Sequence, residues 1–417
     1  MPTIPLVNLS TAQLRSLAGT YGTPVYVYDL RVVARNLRLF ERFDVVRYAV
    51  KANPNLAILR ELRDGGAACD AVSAGEVARA LAAGFEPERI VFTADLLDRE
   101  ASESVARHGL HVNVGSPFMI DDVADLGATR SITIRVNPGF GDGHDKKVTT
   151  GGPLSKHGVW HEDLEAARDR ARARGLSVTG VHVHIGSGTG TRLLDDTIAA
   201  MESVVETFAD SVERVSAGGG MSFPYRDGDV PFDLETFADA WLDARERWSE
   251  KVGRRLVLEV EPGRRLVADA GVLLTSVAGT KSTGPIERDG RTFTLVDAGF
   301  NTLLRPLLYG AYHRIEALDK EDAPTRPTIV AGPLCESADV LTQGKGGAPD
   351  PRPLPELESG DLLVVHDVGA YGASMASCYN SRPLPTEVVI GDDGEARLAR
   401  PALDLDALLE TERQLLQ

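Results

Sequence analysis

Between residues 45 and 260 short apolar runs alternate with longer amphipathic stretches, the strand-then-helix rhythm of parallel β/α units. The runs that read as strands are 45–50, 68–72, 90–93, 110–114, 131–136, 178–184, 212–216 and 256–260. Between them, 57–63, 74–83, 162–173, 193–208 and 234–247 carry apolar residues at three- and four-residue spacing, as helices packed on a core do. Eight strands separated by helices close a β/α barrel. After Gly263 the rhythm changes to β-rich runs broken by turns, at 272–277, 293–296, 328–331, 362–367 and 386–390. That change predicts a second, mainly β domain. The Gly- and Pro-rich stretch 344–355 reads as a loop, 403–416 as a terminal helix, and 25–28 as an early strand available to the C-terminal sheet. The expected division is therefore a segment 1–30 packing with the C-terminal domain, a barrel over 31–270 and a β-sandwich or barrel-like domain over 271–417.

Length agrees with this division, since a barrel of about 250 residues plus a smaller domain uses up a chain of 417. A hydrophobic share of 43% with 25% charged residues describes a globular chain with ample core, and no apolar run of membrane-spanning length occurs. No membrane association is expected. Met1-Pro2-Thr3-Ile4-Pro5 lacks the basic stretch and apolar core of a secretory signal, so a cytoplasmic location is expected. A net charge of −16 without a basic cluster argues against nucleic acid. Cys69, Cys335 and Cys378 form neither a CxxC pair nor a zinc pattern, so neither a disulfide nor a metal is expected.

In a β/α barrel the chemistry gathers at the C-terminal ends of the strands. Here those ends carry Lys51, Asp70 with Ser73, Asn137, His184, the triplet Gly218-Gly219-Gly220, and Glu261-Pro262-Gly263-Arg264. Lys51 closes an apolar run and precedes the turn Ala52-Asn53-Pro54-Asn55, a place that would partly desolvate its ammonium and suit Schiff-base chemistry. Most strand-end lysines merely face solvent, so its neighbours matter. Three glycines after a late strand present backbone N–H groups with no Cβ in the way, either a phosphate nest or an ordinary tight turn, and Ser187 could add a hydroxyl. The guanidinium of Arg264 suits a phosphate or a carboxylate. Lysine and nest together imply pyridoxal phosphate, with Glu261 keeping its ring nitrogen protonated and the imidazole of His184 against its face.

The ordered set Tyr48-Ala49-Val50-Lys51-Ala52-Asn53, His184-Ile185-Gly186-Ser187, Gly218-Gly219-Gly220, Glu261-Pro262-Gly263-Arg264 and Gly332-Pro333-Leu334-Cys335-Glu336-Ser337 resembles the bacterial diaminopimelate decarboxylases. These belong to the fold type III pyridoxal phosphate enzymes, which also include ornithine and arginine decarboxylases. The resemblance runs from about Val25 to Ile390 and implies an alanine-racemase-like (β/α)8 TIM barrel, α/β in class, with a second, mainly β C-terminal domain. It implies that Lys51 carries the cofactor, with Asp70, His184, Ser187, Gly218, Gly219, Gly220, Glu261, Gly263, Arg264 and Tyr371 around it. Arg264, Arg305, Tyr309, Glu336 and Tyr371 match substrate-holding positions, arginines and tyrosines on carboxylate and Glu336 on the distal amino group. Cys335 would be the proton donor, supplied from the partner subunit of a homodimer with shared active sites.

The implied reaction is decarboxylation of meso-2,6-diaminopimelate to L-lysine and carbon dioxide, the last step of lysine biosynthesis. Two readings compete with it. A sister decarboxylase acting on ornithine, lysine or a conjugated amino acid in siderophore or antibiotic synthesis would keep the cofactor machinery and alter the distal pocket. A non-catalytic pyridoxal phosphate binder would lose Lys51 or Cys335, and both are present. Two departures stand out: Cys378 where many relatives carry asparagine, and Ala338 in place of a usual glycine. Cys69 and Cys378 have no catalytic context and read as structural.

Overall fold

The computed structural model describes residues 9–143, 149–188, 190–285, 288, 290–320 and 322–416. Met1 to Pro5, read above for the lack of a secretory signal, lie outside them. The chain divides into two compact units, one of residues 34–224 and 230–266, the other of residues 1–33, 225–229 and 267–417.

Strand β1 (Val25–Asp29) belongs to the second unit. The first unit is built on β2 (Val45–Ala49), β3 (Ala68–Ala71), β4 (Ile90–Ala94), β5 (His111–Val114), β6 (Ser131–Asn137), β7 (Val159–Trp160), β8 (Ser177–Val183), β9 (Arg214–Ser216) and β10 (Val257–Val260). Apart from β7, each of these pairs in parallel with two neighbours in the order β2-β3-β4-β5-β6-β8-β9-β10, and β10 returns to β2. This is a closed eight-stranded barrel, as the rhythm of the sequence predicts; the short β7 adds only to the end of β6. Helices follow the strands, and their starts are capped by side chains: Asn55 accepts from the Ala57 N–H, Ser73 from Glu76, Asp98 from Ala101 and Asp233 from Thr236. The long helix Leu234–Val252 buries Ala238, Trp241, Ala244, Arg245 and Trp248, one stripe at helical spacing.

The barrel interior is polar at one level. Arg47 on β2 donates twice to Glu259 on β10, at 2.8 Å each, and both side chains are buried. Such a fork satisfies both charges with matched geometry, where a lone buried ion would be costly.

The second unit holds β11 (Gly271–Ser282), β12 (Thr292–Val296), β13 (Ile315–Ala317), β14 (Thr325–Ala331), β15 (Arg352–Pro355), β16 (Leu362–Val365), β17 (Thr386–Ile390) and β18 (Ala396–Arg400). The order is β15-β14-β12-β11-β1-β17-β18, with β16 between β11 and β13. Strand β1 lies antiparallel to β11 and parallel to β17, so the early strand does join the C-terminal sheet. Its alternate residues Val25 and Val27 pack with Val272, Leu274, Val388 and Ile390, and with Leu14 and Leu17 of the helix Thr11–Tyr21. The stretch read as a loop over 344–355 ends in β15 instead. Pro353 and Pro355 lack the N–H of an inner strand, which hides it in the sequence, but β15 lies at the sheet edge, where proline is tolerated. The terminal helix spans Leu405–Leu415.

Candidate active site

The barrel unit carries Lys51, Asp70, His184, Ser187, Gly218, Gly219, Gly220, Glu261, Gly263 and Arg264, and all follow or end a barrel strand. The second unit carries Arg305, Tyr309, Cys335, Glu336 and Tyr371.

Strand β2 stops at Ala49, one residue short of the expected run, and Val50–Ala52 form a single 3-10 turn that raises Lys51. Lys51 is exposed there, which corrects the expectation of a partly desolvated ammonium. The turn itself is fixed from beneath. The Tyr48 hydroxyl donates to the Asn53 carbonyl at 3.0 Å, the Asn55 N–H to the Asn53 side chain at 3.1 Å, and the Ala49 N–H to the Pro262 carbonyl at 3.3 Å. Gly263 packs against this turn: a Cβ on it would come within 3.2 Å of the methyl groups of Ala49 and Ala52.

Glu261, at the end of β10, is buried, and its two oxygens meet His182 Nε2 at 2.7 Å and the Ser216 hydroxyl at 3.0 Å. Burial alone would raise its carboxyl; the charge and hydrogen bond of His182, helped by the hydrogen bond from Ser216, outweigh burial and hold it below the ordinary carboxylate range. Asp70, at the end of β3, goes the other way. Burial and the nearby Glu261 push its carboxyl up, against the opposing pull of Lys51 and a hydrogen bond from Thr93. Its Oδ1 is buried with no hydrogen-bond partner among the described residues. The two neighbouring carboxyls are thus driven in opposite directions.

His184 follows β8, and its Nδ1 accepts from the Gly219 N–H at 3.2 Å. Burial first, then the charges of Arg135 and Lys51, keep its imidazole well below the ordinary value, so the ring is neutral at physiological pH. The accepting Nδ1 fixes the tautomer, with the proton on Nε2. Gly218 donates its own N–H to the Ser216 hydroxyl at 3.2 Å. The Gly218 and Gly219 N–H groups, expected to help form a nest, are thus directed at the protein. What the triplet supplies is close approach. A Cβ on Gly218 would lie 2.0 Å from the Val183 carbonyl oxygen, on Gly219 2.3 Å from that of Glu261, and on Gly220 2.0 Å from that of Gly186. Gly218 and Gly220 also have φ of +66 and +98, which side chains disfavour.

Sequence reading missed His182, Arg135 and Ser216. A signal existed for the first: in Val181-His182-Val183-His184 both histidines fall on alternate, hence same-side, positions. Arg135 on β6 is buried, and that burial lowers its guanidinium below the ordinary value against the opposing charges of Asp95, Glu261 and Asp70.

In the second unit Arg305 is buried, donates to His313 Nε2 at 2.9 Å and lies 4.7 Å over the Tyr225 ring. Tyr371 has φ of +59, a conformation costly for a bulky residue and typical of functional turns. Cys335 and Glu336 are both exposed, while Cys69 is buried and its thiol pushed up by that burial. Among the described residues no His, Cys, Asp and Glu cluster could hold a metal ion, and no helix is long and apolar enough to cross a membrane.

The model of the pyridoxal-dependent decarboxylase family, pyridoxal binding domain, matches residues 31–268. The diaminopimelate decarboxylase of Escherichia coli K12 is 46% identical over 97% of this chain and 97% of its own length. The chain belongs to the diaminopimelate decarboxylase family. A crystal structure of a family member, also 46% identical, superposes with a TM-score of 0.93 over 99% of this chain and 98% of its own. A Helicobacter pylori diaminopimelate decarboxylase complexed with L-lysine gives a TM-score of 0.85 at 32% identity, covering 96% of this chain and 99% of its own. The family is pyridoxal-dependent, and the barrel residues fit that cofactor: a buried carboxyl oxygen on Asp70 with no hydrogen-bond partner among the described residues and a buried carboxylate held ionised at Glu261, beside three glycines whose backbone is packed too closely for any Cβ.

Proposed function

We propose that this chain is a lyase that decarboxylates meso-2,6-diaminopimelate to L-lysine and carbon dioxide, the last step of lysine biosynthesis, with pyridoxal phosphate held on Lys51. The observation that carries the reading is a 46% likeness to diaminopimelate decarboxylases over nearly the whole chain, with Lys51 and Cys335 both in place. Bound there, the cofactor supplies an electron sink for the pair left on Cα when the carboxylate departs. Glu261, kept ionised by His182 and Ser216, would hold a proton on the ring nitrogen. Neutral His184 adds no competing positive charge beside the ring. Gly218, Gly219 and Gly220, with Asp70, Ser187, Gly263, Arg264 and Tyr371, would hold ring and phosphate.

The substrate carries two carboxylates and two ammonium groups. Arg264, Arg305, Tyr309 and Tyr371 would take carboxylate, and Glu336 the ammonium remote from the reacting carbon. Cys335 Sγ would deliver the proton that replaces carbon dioxide at Cα. Its exposure on a single chain supports a homodimer in which each thiol completes the partner's site, and we infer a cytoplasmic enzyme. The cofactor-binding domain is taken as 31–270, with 1–30 joining the β domain of 271–417.

A substrate panel tests the reading. Carbon dioxide release is expected from meso-diaminopimelate with a kcat/KM at least about 10²-fold above that for lysine, ornithine or arginine, a margin of roughly 2.7 kcal/mol. A preference for any of the other three would overturn it. Gly220→Ala tests the cradle separately. Its methyl group meets the Gly186 carbonyl, so the Kd for pyridoxal phosphate is expected to rise about tenfold or more, measured by equilibrium dialysis. An unchanged Kd would remove the triplet from the cofactor site.

A further inference from the structure

The segment bearing Cys335 and Glu336 is fastened to two others within the second unit. Asp339 accepts from the Phe300 and Leu334 N–H groups, each at 2.7 Å, and Gly299 and Gly332 have no room for a side chain beside its carboxyl. The Ser377 N–H donates to the Asn301 carbonyl at 2.8 Å. Upon this base lies the turn Tyr379–Ser381, in which Asn380 and Ser381 take the left-handed φ values of +54 and +55. That unusual backbone serves two contacts. The Asn380 side chain accepts from the Cys335 N–H at 3.2 Å, and the Tyr379 hydroxyl donates to Glu336 Oε1 at 2.5 Å.

Tyr379 is 41% exposed, so burial does not explain a tyrosine here. Its ring rests on Phe300, with centroids 5.3 Å apart, which limits where the hydroxyl can point. Glu336 has three side-chain torsions and would otherwise sample many rotamers; a short bond from a braced phenol leaves few. We propose that Tyr379 is a positioning residue: it holds Glu336 by Oε1 so that Oε2 is presented to an ammonium group, and thereby sets the preference for substrates with an amino group remote from the reacting carbon. The proposal deepens the functional reading above and rests on it for the identity of the substrate. The hydrogen bond to Glu336, followed by partial desolvation and the nearby acid's charge, also raises the Tyr379 phenol above its ordinary range.

Two measurements test it. The first needs no substrate: the alkaline tyrosinate absorbance of the holoenzyme, wild type minus Tyr379→Phe, isolates the titration of Tyr379. It is expected above the ordinary phenol range and is expected to fall back in Glu336→Gln. The second is kinetic. Tyr379→Phe keeps the ring on Phe300 and deletes only the hydroxyl, so KM for meso-diaminopimelate is expected to rise about tenfold with kcat within about twofold and the visible absorbance of bound cofactor unchanged. In the Glu336→Gln background the same substitution should add nothing. A Tyr379 titration indifferent to Glu336, or a KM unmoved in Tyr379→Phe, overturns the proposal. Should the wild-type enzyme not turn over meso-diaminopimelate at all, the functional reading fails while the titration still decides whether Tyr379 holds Glu336.

Discussion

Lys51→Ala is expected to abolish both the visible absorbance of bound pyridoxal phosphate and the release of carbon dioxide, by roughly 10³-fold or more, a barrier increase of about 4 kcal/mol or more. The expected loss is chemical rather than structural. The Lys51 turn is held by Tyr48, Asn53, Asn55 and the close approach of Gly263, none of which uses the lysine side chain. An exposed side chain above a turn braced in this way can be truncated with little effect on the fold, so the cofactor-free variant should melt at the same temperature as the cofactor-free wild type. A variant that keeps activity would refute the assignment of Lys51. One that loses activity only because it unfolds would show that the turn depends on the side chain after all.

The second large effect is expected at Cys335. Replacing it by alanine removes a proton donor, for which a positioned group is worth about 10²- to 10⁴-fold, so turnover should fall by at least about 10²-fold while the cofactor absorbance persists. Lys51→Ala and Cys335→Ala then separate the two halves of the site. If each site draws its lysine from one chain and its thiol from the other, a heterodimer of the two variants contains one intact site and one doubly damaged site. Half of the dimers in a fully exchanged equal mixture are such heterodimers, so the mixture should recover about one quarter of wild-type activity. No recovery would mean that lysine and thiol act within one chain.

Much of the barrel could be read from the sequence because parallel strands covered on both faces appear as uninterrupted apolar runs, and seven of the eight runs lie within a residue or so of a barrel strand. The exception at 212–216 shortens to Arg214–Ser216, since Val212 closes the preceding turn with an N–H donated to the Phe208 carbonyl. Short strands such as Val159–Trp160 and Ile315–Ala317 carry too few residues for any period to show. That Lys51, His184, the glycine triplet and Glu261 stand at or just after the ends of barrel strands could be read from the apolar runs that precede them. The environment of Lys51 could not, because exposure depends on how the 3-10 turn lifts it. The opposed shifts of Asp70 and Glu261 depend on a distance across the barrel, and the Tyr379–Glu336 bond joins residues 43 apart in the chain. Contacts of that kind follow from the fold and leave no periodic trace.

Borohydride reduction of the holoenzyme, followed by peptide mass mapping, tests the central claim most directly, since it fixes the cofactor carbon to whichever amine holds it. A pyridoxyl group on Nζ of Lys51 is the result this account predicts; the label on any other lysine, or on none, would contradict it.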